Sequence, residues 1–220
     1  LITIGVGTGV AALIAPALGK AAMKIGELIM LATNLQPFLM GIAVSVLVGI
    51  ALTLPISSAA ICAAFGLTGL AGGAAVAGCC AQMVGFAVMS FKENRWGGLV
   101  SQGIGTSMLQ MGNIIKNPRI WIAPIITSAI TGPLATCIFK LNMNGTAVSS
   151  GMGTCGLVGQ IGVYSGWVND IANGTKVAIT GFDWAGLILI SFILPAVICP
   201  LINMLLKKIG WVKDGDMKLS

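Results

Sequence analysis

Two polar clusters without a charge among them are the residues of this chain best suited to chemistry. The run NMNGTAVSSGMGTCGLVGQIG, from Asn142 to Gly162, packs Asn142, Asn144, Thr146, Ser149, Ser150, Thr154 and Gln160 among glycines. The run SQGIGTSMLQMGN carries Ser101, Gln102, Thr106, Ser107, Gln110 and Asn113. Amides and hydroxyls beside exposed peptide groups offer neutral donors and acceptors, which suits an uncharged or weakly charged polyhydroxy solute. The expected solute-binding residues are Asn142, Asn144, Thr146, Ser149, Ser150, Thr154 and Gln160, joined by Gln102, Thr106 and Gln110. No catalytic residue is expected.

Each cluster contains Gly-x-Gly-Thr, at Gly103–Thr106 and Gly151–Thr154, and a further copy stands at Gly5–Thr8. Glycine-interrupted segments recurring along a membrane protein point to a midplane binding site. Gly151, Gly153 and Gly156 also satisfy the dinucleotide fingerprint, but that motif works only between a strand and a helix of a βαβ unit, which this chain does not offer. Histidine is absent, and six cysteines lie in or near apolar stretches without CxxC spacing. They are expected to be buried hydrophobes and to hold no metal, and no cofactor is expected. Asp170, Asp183 and Lys140 border apolar runs, so an intramembrane ion relay has little support.

The elements that position these clusters are set by the solvent. Of 220 residues 56% are apolar and only 8% charged, with mean hydropathy +0.98, where a soluble domain would carry roughly 25% charged residues. No charge falls between Glu27 and Lys92, between Arg119 and Lys140, or between Asp183 and Lys207, gaps of 64, 20 and 23 residues. A crossing helix needs ~20 apolar residues, so the first gap holds two crossings or more and the others one each. The fold class is all-α, a polytopic helical membrane protein with glycine-rich re-entrant or broken segments. The net charge of +6 reflects basic loops beside apolar runs, and nucleic acid is not an expected partner.

Along the chain, 28–54 is expected to form one long helix, with Pro37 near its start and Pro55 closing it. The Ala/Gly-rich run 57–91 should pack against protein, with Gly69 and Gly73 in small-xxx-small spacing. Ser57, Ser58 and Gln82 read as helix–helix glue. Crossings are expected at 120–139 and 184–206. Residues 99–115 either face the first cluster across a pseudo-symmetric cavity or form an amphipathic surface helix. Residues 141–183 must begin and end on one side, as a re-entrant hairpin or an even number of crossings. Lys92, Arg95, Lys207 and Lys208 place the C-terminus in the cytoplasm. Residues 1–220 read as a single transmembrane domain, and Leu1, neither an initiator methionine nor a signal-peptide n-region, suggests N-terminal helices of a longer protein.

The segments LPISSAAICAAFGLTGLAGGAAVAGCCAQMVGFA, ENRWGGLVSQGIGTSMLQMGNIIKNP and NGTAVSSGMGTCGLVGQIGVY resemble the membrane-embedded enzyme IIC component of the bacterial phosphoenolpyruvate-dependent sugar phosphotransferase system. They look most like the branch that includes proteins named as perfringolysin regulators. The resemblance implies a sugar permease in the bacterial plasma membrane, served by separate IIA and IIB phosphocarrier proteins. It departs from better-studied sugar IIC proteins, which place a glutamate and a histidine in the pocket. Here histidine is absent, and Glu27 and Glu93 border basic residues. The expectation is a permease that binds and translocates a small polar solute, a sugar or sugar-like compound, with a membrane sensor signalling through the tail Lys207–Ser220 as the rival. Alternating access by one helical bundle against another is the expected mechanism, and close Gly/Ala packing also permits a homodimer.

Overall fold

The computed structural model describes residues 16, 19–20 and 23–219. Gly5–Thr8 lies outside the described residues, which contain helices and no strand. A helix α1 ends at residue 33; α2 (Pro37–Thr53) and the short α3 (Ser58–Ala64) follow, then α4 (Gly69–Met89) and α5 (Phe91–Val100). A broken stretch leads to α6 (Met111–Lys116) and α7 (Ile122–Pro133). Beyond it come α8 (Ala147–Ser150), α9 (Val158–Ala172), α10 (Gly181–Ile188) and α11 (Leu194–Lys208).

Three continuous helical rods are long and apolar enough to cross a membrane: Gly69–Met89, Pro118–Ile138 and Gly181–Lys208. The expected crossings at 120–139 and 184–206 correspond to the second and third. At ~1.5 Å per residue, the 21 residues of α4 span about 31 Å, the thickness of the hydrocarbon. The first charge-free gap holds α2 and α4, with α3 folded between them. The single helix expected over 28–54 is instead two, because Pro37 supplies no backbone donor and starts a new helix at N1.

α4 is the axis of the molecule. Of its apolar window 94% is buried by the rest of the chain, against 33% for Gly181–Lys208, so α2, α7 and α11 ensheathe it. Small residues permit this. A Cβ on Gly78 would collide with the backbone carbonyl of Ser45 on α2, and one on Gly73 with the carbonyl of Leu141. Hydroxyls stitch the same seam: Ser45 Oγ donates to the Ser128 carbonyl on α7 at 2.8 Å. The expectation that this run packs against protein holds.

Both outer rods change pitch beside a proline. In Pro118–Ile138 the ladder widens to a π turn at Leu134–Ile138 after Pro133, and in Gly181–Lys208 it does so at Leu189–Ile193 ahead of Pro195. A proline cannot donate to the carbonyl four residues back, and a wider turn absorbs the defect. The last rod starts on a capping box, Thr180 and Asp183 bonding each other's backbone N–H groups. Among the cysteines, Cys62, Cys79, Cys80 and Cys199 are buried as expected and Cys155 is half-buried, but Cys137 is exposed, carried outward on the first π turn.

Candidate functional site

Residues 141–172 form a re-entrant hairpin that enters and leaves at the N-terminal end of α4. At its mouth Met143 and Gly69 exchange backbone hydrogen bonds at 2.9 Å. The chain then dives beside α3 and α4, turns at Gly153–Leu157 and climbs back as α9, where Gly166 packs on the backbone of Asn144. Of the two arrangements open for 141–183, the hairpin is the one formed.

Non-helical backbone at this depth needs partners, and the hydroxyls of the cluster supply them. Ser150 Oγ donates to the Leu67 carbonyl, Ser58 Oγ to the Gly151 carbonyl at 2.7 Å, and Thr154 Oγ1 to the Gly103 carbonyl at 2.6 Å. Ser149 pairs with Thr146 at 2.8 Å. Gly153 takes φ +53° against Cys79, where a Cβ would stand 2.6 Å from the cysteine Cβ, a position only glycine fills without strain.

A second broken segment approaches from the opposite end of α4. After α5 the chain makes a π turn at Ser101–Gly105 and a tight turn at Ser107–Gln110, capped by Thr106 Oγ1 accepting from Met108 N at 3.1 Å. The tips of the two segments touch. Thr154 of one Gly-x-Gly-Thr donates to Gly103 of the other, and nearby Ser107 and Thr53 hydroxyls lie 2.9 Å apart beside Gln82. Gln82 also accepts from Trp121 Nε1 at 2.9 Å, so this single amide joins α2, α4 and the rod beginning at Pro118.

The ten expected binding residues therefore divide by place. Asn142, Asn144 and Thr146 are exposed at the hairpin mouth; Ser149, Ser150, Thr154 and Gln160 are buried within it. Gln102 and Gln110 are buried on the other segment and Thr106 is half-buried. Gln102 Nε2 donates to Ser90 and Gly98, its Oε1 accepts from Gln110 at 2.8 Å, and Gln110 donates onward to the Met217 carbonyl at 3.0 Å. In this conformation both amides are engaged with protein.

Three buried polar atoms lack a protein partner among the described residues: Gln160 Oε1, Ser191 Oγ and Asn203 Oδ1. Gln160 faces Cys80 of α4 at 3.3 Å through its other amide atom. Ser191, on the second π turn, was not expected from the sequence, where a lone serine in an apolar run carries no signal.

Sequence reasoning also missed a cavity of about 520 Å³ between the hairpin mouth and the start of the last rod. Asn142 and Asn144 line it together with Trp167, Asp170, Lys176 and Asp183. Asn144 Nδ2 donates to both oxygens of Asp170, at 3.0 and 2.8 Å. Lys176 pairs with Asp183 at 2.6 Å and lies 5.4 Å over the Trp167 ring. Asp170 and Asp183 had seemed mere span borders; the tryptophan three residues before Asp170 was the available clue. Among the described residues no group of His, Cys, Asp and Glu is placed to hold a metal ion.

These features define a class: an all-helical, polytopic membrane protein built around a sheathed axial helix and two broken segments that meet tip to tip. The family model for the phosphotransferase system EIIC component matches residues 1–219, and the chain belongs to that family. It is thus a membrane-embedded permease component of a sugar phosphotransferase system, whose partners are the IIA and IIB components. Neither the curated proteins nor the solved structures gave a match.

Proposed function

We propose that this chain binds a sugar or sugar-like solute at the hairpin Asn142–Gln160 and passes it across the membrane where the two broken segments meet. The observation that carries the reading is the tip contact, in which Thr154 of one Gly-x-Gly-Thr holds the Gly103 carbonyl of the other at 2.6 Å. Two opposed broken segments closed on each other form the barrier, and a rigid-body shift of one against the other opens it to either side in turn. Gln160 Oε1, on the returning arm of the hairpin next to Cys80 of α4, is a buried acceptor without a protein partner among the described residues, so it gains a hydrogen bond when a hydroxylated solute arrives. Asn142, Asn144 and Thr146 serve entry, and Gln102, Thr106 and Gln110 line the far side once the tips part.

Lys92, Arg95, Lys116, Arg119, Lys207 and Lys208 gather at the end of α4 away from the hairpin mouth. By the positive-inside bias that end is cytoplasmic, the C-terminus with it, in a bacterial plasma membrane. In this reading phosphate reaches the solute from the IIA and IIB partners that the family implies. The perfringolysin-regulator-like branch and a homodimer belong to the same reading.

Ligand-induced thermal stabilisation of the protein in detergent tests it, because a ligand that binds the folded state raises stability by mass action. A saturable shift with one sugar that weakens about tenfold in Gln160→Ala and in Asn144→Ala supports the hairpin site. Unchanged affinity in both variants removes it.

A second reading, a sensor that binds without transporting, is favoured by the tail. Glu93 accepts backbone N–H bonds from Gly215 and Met217 at 3.0 and 2.9 Å, Asn94 bonds both Met217 and Leu219, and Met217 and Val212 are buried. The tail is therefore tied to the segment whose tip closes the barrier. Solute exchange in proteoliposomes separates the two: a sensor binds and does not exchange.

A further inference from the structure

We infer that the cavity at the hairpin mouth is the entry recognition site for the ring of a neutral pyranose, with Trp167 as its platform and Lys176 as a removable cover. The inference rests on the transport reading and locates where selection begins. Trp167 is 2% exposed, yet it lines a cavity of about 520 Å³, large enough for a monosaccharide. Most of the ring is packed in the cluster it shares with Val76, Val163 and Leu187, and Lys176 lies 5.4 Å over its face, in the cavity that both residues line. The opposite constraint comes from Trp184, whose ring meets Trp167 edge-on at 5.6 Å and 80° and fixes its tilt.

The polar groups around that face match a hydroxylated ring. Asp170 presents a carboxylate already oriented by both Nδ2 bonds from Asn144, which leaves lone pairs on each oxygen for sugar hydroxyls. Asn142 is exposed into the same space. An aromatic face flanked by a carboxylate and amides binds the apolar C–H face of a pyranose and reads its edge hydroxyls. An acyclic polyol has the hydroxyls without the face.

Lys176 can leave without collapsing its partner. Asp183 keeps the Thr180 backbone N–H at 2.8 Å and the Thr180 hydroxyl at 2.7 Å after the ion pair opens. Lys176 sits after the Asn173–Thr175 turn, with its side chain one quarter exposed, so it swings toward water. Cation and sugar compete for one ring face, and removing the cation favours the sugar.

The test is calorimetric titration of the intact chain in detergent with glucose, N-acetylglucosamine, mannitol and glucuronate, with tryptophan fluorescence followed in parallel. The expected results are saturable binding of a neutral pyranose and at least tenfold weaker binding of mannitol. Lys176→Ala should bind the pyranose about three- to tenfold tighter, the worth of one partly desolvated cation–π contact. The fluorescence change should vanish in Trp167→Phe. Should that variant misfold, Lys176→Ala decides alone. Weaker pyranose binding in Lys176→Ala, a preference for glucuronate that Lys176→Ala abolishes, mannitol binding equal to glucose, or no saturable binding by either pyranose would overturn the inference. Exchange in proteoliposomes, run on the same preparations, keeps the two readings apart. Exchange without the Trp167 signal removes the cover and leaves the permease; the signal without exchange keeps the cover and leaves a sensor.

Discussion

At the scale of single residues, the chain spends its hydroxyls on backbone. Thr154, Ser150 and Ser58 each satisfy a carbonyl that no helix ladder reaches, which is why serine and threonine cluster where the backbone is irregular. Thr154→Val leaves the Gly103 carbonyl bare in a buried place and is expected to cost ~1–3 kcal/mol, read as a lower midpoint of thermal unfolding in detergent. Gln160→Leu is expected to behave in the opposite way, because it removes an acceptor with no partner. Stability should hold or rise while solute affinity falls about tenfold; a loss of stability comparable to that of Thr154→Val would mean Gln160 is structural. The sequence showed these residue types and their spacing plainly. It could not show which amides end up facing protein, because Gln102 and Gln110 are saturated by residues as distant as Ser90 and Met217.

Elements obeyed charge spacing where they are long and proline where they are short. The rods Pro118–Ile138 and Gly181–Lys208 coincide with the charge-free gaps, since nothing but a helix satisfies twenty apolar residues in lipid. Pro37 splits the stretch expected as one helix, and the gap between Glu27 and Lys92 conceals α3, which Gly66 closes at φ +59°, with Gly66 and Leu67 bonding back to Ala63 and Cys62. The π turns of the two outer rods were illegible beforehand: prolines mark where a ladder weakens, and only packing decides how the defect is absorbed. Gly153→Ala is expected to damage the hairpin by ~1–3 kcal/mol through its positive φ, and further through the clash with Cys79; loss of solute binding in detergent would accompany it. At the tail, Glu93→Gln replaces one of the two oxygens that accept from Gly215 and Met217 with an NH2 donor and drops the charge near Lys207, and faster proteolysis of residues 211–219 is the expected result. Lys207 also holds the Asp214 carboxyl below its usual range. That contact favours the folded tail above the ordinary carboxylate pKa and loses its effect as pH falls through the lowered value, so acid should speed the same cleavage.

For the whole molecule, the solvent class and the two segments that matter were visible from composition and from repeated Gly-x-Gly-Thr. The sequence left open whether 99–115 faces the first cluster across a cavity or lies at the surface; the structure shows the two tips in direct contact, Thr154 on Gly103, with Gln102 and Gln110 bonded to protein. The aromatic vestibule was not visible, because Trp167 and Asp183 come from elements separated by a turn and share a cavity only after the hairpin closes. Loss of the carboxylate charge and of one of the two Asn144–Asp170 bonds in Asp170→Asn is expected to weaken pyranose binding several-fold while leaving the 94%-buried axis of the bundle intact, a separation that circular dichroism and titration would report together.

That axis has a consequence for how the chain is made. α4 leaves the ribosome before Trp121 and Ser128, the groups that engage Gln82 at 2.9 and 3.5 Å. A helix of alanines and glycines with a central glutamine has little affinity for lipid on its own. During synthesis it must therefore wait, sheltered by the insertion machinery or by α2, until the rod beginning at Pro118 is complete. The molecule's most enclosed helix is thus the one whose biogenesis depends most on timing, and slowing translation beyond residue 110 would endanger it more than any helix on the rim.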